Sequence, residues 1–527
     1  MRKFYTQSKE IGFLILLLLC SFISLSAHQS DDVLDGEWPV VGQDYANLAN
    51  AESTIDSSNA ANLLSNQKFF FPTAGPVAGQ PAVSDGVAYF GDTSGTLYAV
   101  DVNTGAQLWS AFLGNEIITT PSVSEDMVYI SGGIFVGAFP GDPVKVFGID
   151  RSNGSIVWSS NVDPLSGTLP GVGDYTGDTT IVDDLVIFGV ASTENTSSPS
   201  PNFKARGSVV AFNRFTGTEE WRFYTTSDQQ VEDVEFGAGV GVWSSPAIDL
   251  ERRLVFIGTG QSFETPCSPY VDSLLAIDYN NGQLRWFSQK TINDVWDPNI
   301  TQYGADWDIS THPNLFSAEV EGDGMVDFVG VGDKGGRYFI MRRHQKHSTV
   351  KRKGEPLIDV TLFLDEGSKV GTFQGTPTVD NVNKILYVAS DALVGPLGIR
   401  TSMNAVQLNY PAMSPDFQGE VIPKIAAYDL TMLVNGASTS DALIWEQASI
   451  TDPNNRGQTY GPLTLSNDVI FTTNGTGNVR ILKTSDGSLI DEIKPLGIPI
   501  PIFGGVTIVG KQIFVPTLGG IASYEIP

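Results

Sequence analysis

Short runs that alternate apolar and polar positions recur along this chain, and several copies end in the same residue. GTLYAVDVNTGAQLW runs from Gly95 to Trp109, VKVFGIDRSNGSIVW ends at Trp158, GSVVAFNRFTGTEEW at Trp221 and DSLLAIDYNNGQLRW at Trp286. The four tryptophans lie 49, 63 and 65 residues apart. Later copies are worn. KIAAYDL begins one at Lys424 that closes at Trp445 after an insertion, GNVRILKTSDGSLI keeps the turn without the Trp, GGRYFIMRRHQ keeps one strand, and GGIASYEIP is a half-copy. Each full copy reads as a strand rich in β-formers, a tight turn with Gly where φ must be positive, and a partner strand. The terminal Trp is a large apolar plate for a neighbouring unit. Runs such as GVAYFGD, DMVYISG, RLVFIGT and KILYVAS between the copies supply further strands, and no long 3.6-residue period appears after the first thirty residues. The pattern predicts an all-β fold, a single β-propeller with eight four-stranded blades expected. The C-terminal half-copy is expected to pair with QKFFFPTAG, from Gln67 to Gly75, and close the ring.

Composition narrows the function. The net charge of −28 argues against nucleic acid, which needs a basic footprint, and against anionic membrane surfaces. Arg2, Lys3 and Lys9 precede the apolar stretch from Gly12 to Ala27, and small residues follow at Ser26 and Ala27. This reads as a signal peptide over 1–27, with an uncleaved anchor as the alternative, although the run is short for a span. A periplasmic or secreted protein is expected, with an extended segment over 28–60 and the propeller over 61–527. Cleavage would leave Cys267 alone, so neither an intramolecular disulfide nor a CxxCH haem site is expected. His28, His312, His344 and His347 do not fall at zinc-ligand spacing.

The polar insertions in the middle of the chain occur once each: VWSSPAIDLERRLVFIGTGQ from Val242, DVWDPN ending at Asn299, and VGVGDKGGRYFI. With the opening EWPVVGQDYANLANAE and ARGSVVAFNRFTGTEEW, this ordered set resembles the pyrroloquinoline-quinone (PQQ)-dependent dehydrogenases, and their polyvinyl-alcohol-dehydrogenase-like branch, from about Gly36 to the C-terminus. The resemblance implies an exported quinoprotein that oxidises a small or polymeric alcohol through PQQ and a divalent metal such as Ca2+, and passes electrons to a separate acceptor such as a cytochrome. It implies roles for single residues as well. Trp243 would stack beneath the planar quinone, Asp297 would be the catalytic base, and Lys334 would contact the quinone oxygens. Glu194, Gln261 and Asp297 would hold the metal. Each has a plainer reading: a blade-core Trp, a turn Asp before Pro298, a surface Lys. The chain also departs from the family. Gln261 is one methylene longer than the usual Asn, the adjacent-Cys disulfide is missing, and the stretch after Glu194, NTSSPSPNFKARG, is rewritten. A non-catalytic propeller that binds protein partners through its loops is the alternative reading.

Overall fold

The computed structural model describes residues 38–134, 142–169, 171–194, 203–226, 238–296, 307–334, 336–344, 358–363, 375–389, 424–448, 461–474, 477–497 and 502–527. Its strands form eight antiparallel sheets, and their first strands contact one another around a ring. The sheets are the blades of a β-propeller. In chain order, blades 1 to 7 span residues 82–112, 122–161, 175–224, 247–289, 314–363, 378–448 and 464–493. Within each, neighbouring strands pair antiparallel from the axis outward, and in blade 3 Tyr175–Thr176 and Thr180–Val182 share the edge of Leu185–Ala191. Blade 8 is assembled from both ends of the chain. Thr507–Val509, Gln512–Thr517 and Gly520–Glu525 supply its inner strands, and Gln67–Pro72 its outer edge. Phe70 faces Ala522 in that pairing, so the C-terminal half-copy closes the ring on the early strand, as the repeat anticipates.

The recurring Trp and the recurring turn glycine turn out to be two halves of one contact. Trp109, Trp158, Trp221 and Trp445 sit on the outermost strands of blades 1, 2, 3 and 6. Each indole covers the turn glycine of the next blade: Gly154, Gly217, Gly282 and Gly487, all at φ between 69° and 76°. A Cβ on any of them would lie 2.5–2.7 Å from the indole, so the turn demands Gly both for its backbone and for the plate above it. The indole N–H then donates to a carbonyl in the same turn, Arg151, Arg214, Tyr279 or Thr484, at 2.6–2.9 Å. Phe69 takes the same place over Gly105 at the closure. Trp286 faces blade 5, whose repeat lacks the turn, and its N–H has no partner among the described residues. The insertion before Trp445 is a pair of short helices, Leu430–Val434 and Thr439–Ala442, capped by the side chains of Asp429 and Ser438.

Residues 38–55 run around the ring as a strap. Trp38 bridges to Val83 in blade 1 and Pro39 accepts from Val123 in blade 2. Tyr45, Ala46 and Ala49 then accept from Ile248, Leu315 and Leu465 in blades 4, 5 and 7. Leu48 accepts from Thr378 of blade 6, and Thr54 donates to Gly510 of blade 8. The buried Asn47 donates to the carbonyls of Pro246 and Pro313. The strap therefore ties together the first strands of six blades and the first turn of blade 8.

Candidate functional site

The segments that enter the innermost strands converge on the ring axis and line a cavity. Its volume is about 200 Å³. All eight blades contribute, among them Gln80, Thr120, Asp178, Trp243, His312 and Gly505, and Val41 of the strap joins them. The loops that link second and third strands open on the same end of the ring, because antiparallel blades put both kinds of connection at one face. Glu194, Gln261 and Lys334 occupy these loops in blades 3, 4 and 5. Trp243 lies at the entry to blade 4.

The residue that gathers this site is Asp308, at the entry to blade 5. Its carboxylate is buried, and four N–H groups point at it. Lys334 Nζ lies 2.7 Å from Oδ2, and Trp243 Nε1 donates to the same oxygen at 3.2 Å. The backbone N–H of Gln261 donates to Oδ1 at 2.8 Å. The Gln261 amide, oriented by its hydrogen-bond partners, turns its NH2 toward both oxygens. Lys334 also donates its backbone N–H to the Asp308 carbonyl at 2.9 Å, and its ammonium lies 5.4 Å from the Trp243 ring centre, within cation–π range. Gly260 makes the arrangement possible, since a Cβ there would come within 2.9 Å of the Asp308 carboxyl carbon. That contact accounts for the second Gly of GTGQ.

DVWD supports the same point from behind. Asp294, its first residue, is buried and accepts the N–H of Trp307 at 2.9 Å. Trp296 donates to Ser262 at 2.9 Å, so the segment lies along the GTGQ loop and fixes the chain just ahead of Asp308. Asp297 and Asn299 lie outside the described residues. Sequence reading missed Asp308, although a signal for it exists. The chain carries Trp-Asp twice, at 296–297 and at 307–308, and the second pair immediately precedes the inner-strand entry STHPN.

Glu194 is held apart from this cluster. Its Oε2 accepts from the backbone N–H groups of Lys204 and Ala205, both at 2.7 Å. Burial pushes its carboxyl above the usual range, and those two bonds oppose the rise. Its connection to Gln261 runs through backbone: Gly239 donates to Ala205 at 3.0 Å, and Val240 to Gln261 at 2.7 Å. Among the described residues no group of three His, Cys, Asp or Glu side chains comes together.

A second polar cluster lies in the cavity. Ser245 donates to Asp178 at 2.5 Å and stands 3.2 Å from His312 Nε2. Thr120 N–H donates to the other Asp178 oxygen at 2.6 Å. Burial holds the His312 imidazole below its ordinary pKa, with Asp178 opposing. Tyr175 is pushed up by burial and by Asp178, and Lys334 pulls it back.

The site can therefore offer a flat indole plate, a cation at the plate's edge, one buried carboxylate and a lined cavity. Known proteins carry related chains. The family model described as the glucose/ethanol/alcohol dehydrogenase β-propeller domain, named PQQ, matches residues 134–363. A quinohemoprotein alcohol dehydrogenase from Comamonas testosteroni is 25% identical over 324 residues, covering 53% of this chain and 42% of that relative. A polyvinylalcohol dehydrogenase from a Sphingopyxis species is 26% identical over 251 residues, covering 45% of this chain and 37% of that relative. Each match spans less than half of the curated relative. The solved C. testosteroni quinohemoprotein alcohol dehydrogenase superposes with a TM-score of 0.67 at 15% identity, over 96% of this chain and 82% of that one, a likeness of fold.

Proposed function

We propose that this chain, which carries the β-propeller domain of the PQQ-dependent dehydrogenases, binds PQQ on Trp243 and oxidises alcohols with Asp308 as the proton acceptor. One observation carries the reading. Trp243, Gln261 and Lys334 come from three separate loops, and all three meet on the Asp308 carboxylate. A structural scaffold gains nothing from a buried carboxylate and ammonium set against an indole at the rim of a cavity, since buried charge is costly to maintain.

The residues suit a planar quinone. Trp243 offers the stacking face, and Lys334 at its edge would neutralise charge that builds on the ligand's oxygens. PQQ, when bound, would supply the two-electron acceptor for the alcohol's carbon-bound hydrogen. The chain's own work is to move the hydroxyl proton. A carboxylate has about four lone-pair sites, and the four N–H groups on Asp308 engage them. To accept a proton, Asp308 must be released by one donor. Lys334 is the donor on a flexible stem; by turning from Asp308 toward a ligand oxygen it would free Oδ2 at the moment negative charge appears on that oxygen. The remaining bonds from Trp243 and Gln261 would hold the carboxylate in line.

Alcohols, small or polymeric, are the proposed substrates, with a separate electron carrier as partner. Export through the 1–27 segment belongs to the same proposal. To test it, the purified chain is titrated with PQQ while tryptophan fluorescence and the quinone absorption band are followed. Oxidation of alcohols from ethanol to polyvinyl alcohol is then assayed with a redox dye. Saturable binding that is lost in Trp243→Ala is expected. Absence of PQQ binding under every metal condition would overturn the reading.

A further inference from the structure

We infer that His312, Ser245 and Asp178 form a proton-accepting chain on the ring axis, which takes up the proton set free when an alcohol is oxidised beside Trp243 and draws it away from the reacting site. This rests on the alcohol-oxidation reading above.

The three side chains come from the entries to blades 5, 4 and 3, and Ser245 is their centre. Its hydroxyl donates to Asp178 Oδ2 at 2.5 Å. Its one hydrogen is thereby engaged, and only lone pairs face His312 Nε2, 3.2 Å away. By its partners, the neutral ring carries its hydrogen on Nε2 and leaves Nδ1 as the acceptor. Main-chain N–H groups hold this geometry. Asp178 N–H donates to Ser245 Oγ at 3.3 Å, Thr120 N–H to Asp178 Oδ1 at 2.6 Å, and His312 N–H to Thr376 Oγ1 at 3.0 Å. The chain is thus fixed across blades 2 to 6.

Charge gives the chain its direction. Among the described residues the ion-pair partner of Asp178 is the His312 ring, 3.9 Å from Oδ2. The other blades face the pair with the neutral Gln80, Thr120, Thr376, Pro462 and Gly505, and Tyr175 is the remaining titratable group of the lining. With the ring neutral, the carboxylate has no cation beside it, which is costly at a largely buried site. A proton taken up at Nδ1 makes an imidazolium next to that anion. The Nε2 hydrogen can then pass to Ser245 as the Ser245 hydrogen passes to Asp178, so one proton enters and none is lost. Burial holds the ring neutral at rest while Asp178 favours its charged form, the balance that a transient acceptor needs. The cavity itself is the path. Trp243, Tyr175 and Ser310 line the same space of about 200 Å³, which has room for several waters. Tyr175 feels both Asp178 and Lys334, and so joins the surroundings of Asp308 to the chain.

Two measurements test this. The histidine rings of the full chain are titrated by NMR without cofactor, and alcohol turnover of the PQQ-loaded chain is followed against pH. The His312 signal, identified by its absence in His312→Gln, should titrate below the ordinary histidine range, and Asp178→Asn should lower it further. Turnover should fall on the acid side as the ring fills with protons. His312→Gln should lose that acid limb, lower turnover by about tenfold or more, keep PQQ affinity within about twofold and recover turnover with added imidazole. Ser245→Ala, a small change that keeps both ends of the chain, should lower turnover likewise with the fold intact. Wild-type turnover in either variant overturns the inference and leaves the alcohol-oxidation reading standing, as does a His312 ring that takes up no proton between about pH 8 and pH 4. A wild-type chain that oxidises no alcohol overturns both.

Discussion

Replacing Asp308 by Asn should remove catalysis while leaving the ring intact. The change is one atom, yet the site is built to feel it. Asp308 accepts four N–H donors, and an amide has one acceptor oxygen to offer them, so at least one donor meets another N–H. Lys334, whose side chain is only 16% exposed, also loses its carboxylate. Breaking a buried ion pair costs about 3–5 kcal/mol when both groups are sealed. The partial access of Lys334 to water reduces the expected loss to about 1–3 kcal/mol of stability. The catalytic effect is larger. Loss of a general base lowers turnover by about 10²–10⁴, equivalent to about 3–5 kcal/mol in the barrier. Dye-linked alcohol oxidation under saturating PQQ measures the loss of turnover, and urea midpoints measure the loss of stability. Tryptophan quenching should show PQQ still bound, because the Trp243 plate survives. Asp297→Asn, at the other Trp-Asp pair, serves as the control and should keep turnover within about tenfold. If Asp308→Asn retains wild-type turnover, or if the large loss appears in Asp297→Asn instead, Asp308 is not the base.

Gly260→Ala should disable the same site by sterics alone: a Cβ placed 2.9 Å from the Asp308 carboxyl carbon forces that group aside, so turnover should fall by at least about tenfold with little change in circular dichroism, and an active Gly260→Ala enzyme would refute the geometry. Trp158→Ala should cost about 3–5 kcal/mol, because the buried indole is lost from over Gly217 together with its bond to Arg214; a loss below about 1 kcal/mol in urea titration would show that blades 2 and 3 do not depend on the plate.

The fold was legible because its signal is repeated. A strand–Gly–strand–Trp unit written four times in full exposes its own logic, and the structure supplies the reason: the Trp of one blade needs the missing side chain of Gly154, Gly217, Gly282 or Gly487 in the next. The ring closure was legible for a similar reason, since a half-copy at one end needs a strand from elsewhere. The strap was not. Residues 38–55 make main-chain bonds to seven blades through carbonyls and N–H groups, and such bonds leave almost no mark on side-chain choice.

The site was legible only in part, because its members are held by contacts across loops and not by periodicity. Trp243, Gln261 and Lys334 stand out as singular polar insertions in a repeating frame, and the structure brings all three to one carboxylate. Which carboxylate could not be read from spacing. Two Trp-Asp pairs lie eleven residues apart, and the second stands where the chain enters blade 5. Asp294 and Gly260 help to place it: the first pins Trp307 through its N–H, and the second clears the space that Asp308 fills. DVWD thus marks the site through its first Asp, which positions the second Trp-Asp pair. A motif in a loop-built site can thus record the support of a gathered side chain as readily as that side chain itself, and the hydrogen bonds show which contact each residue makes.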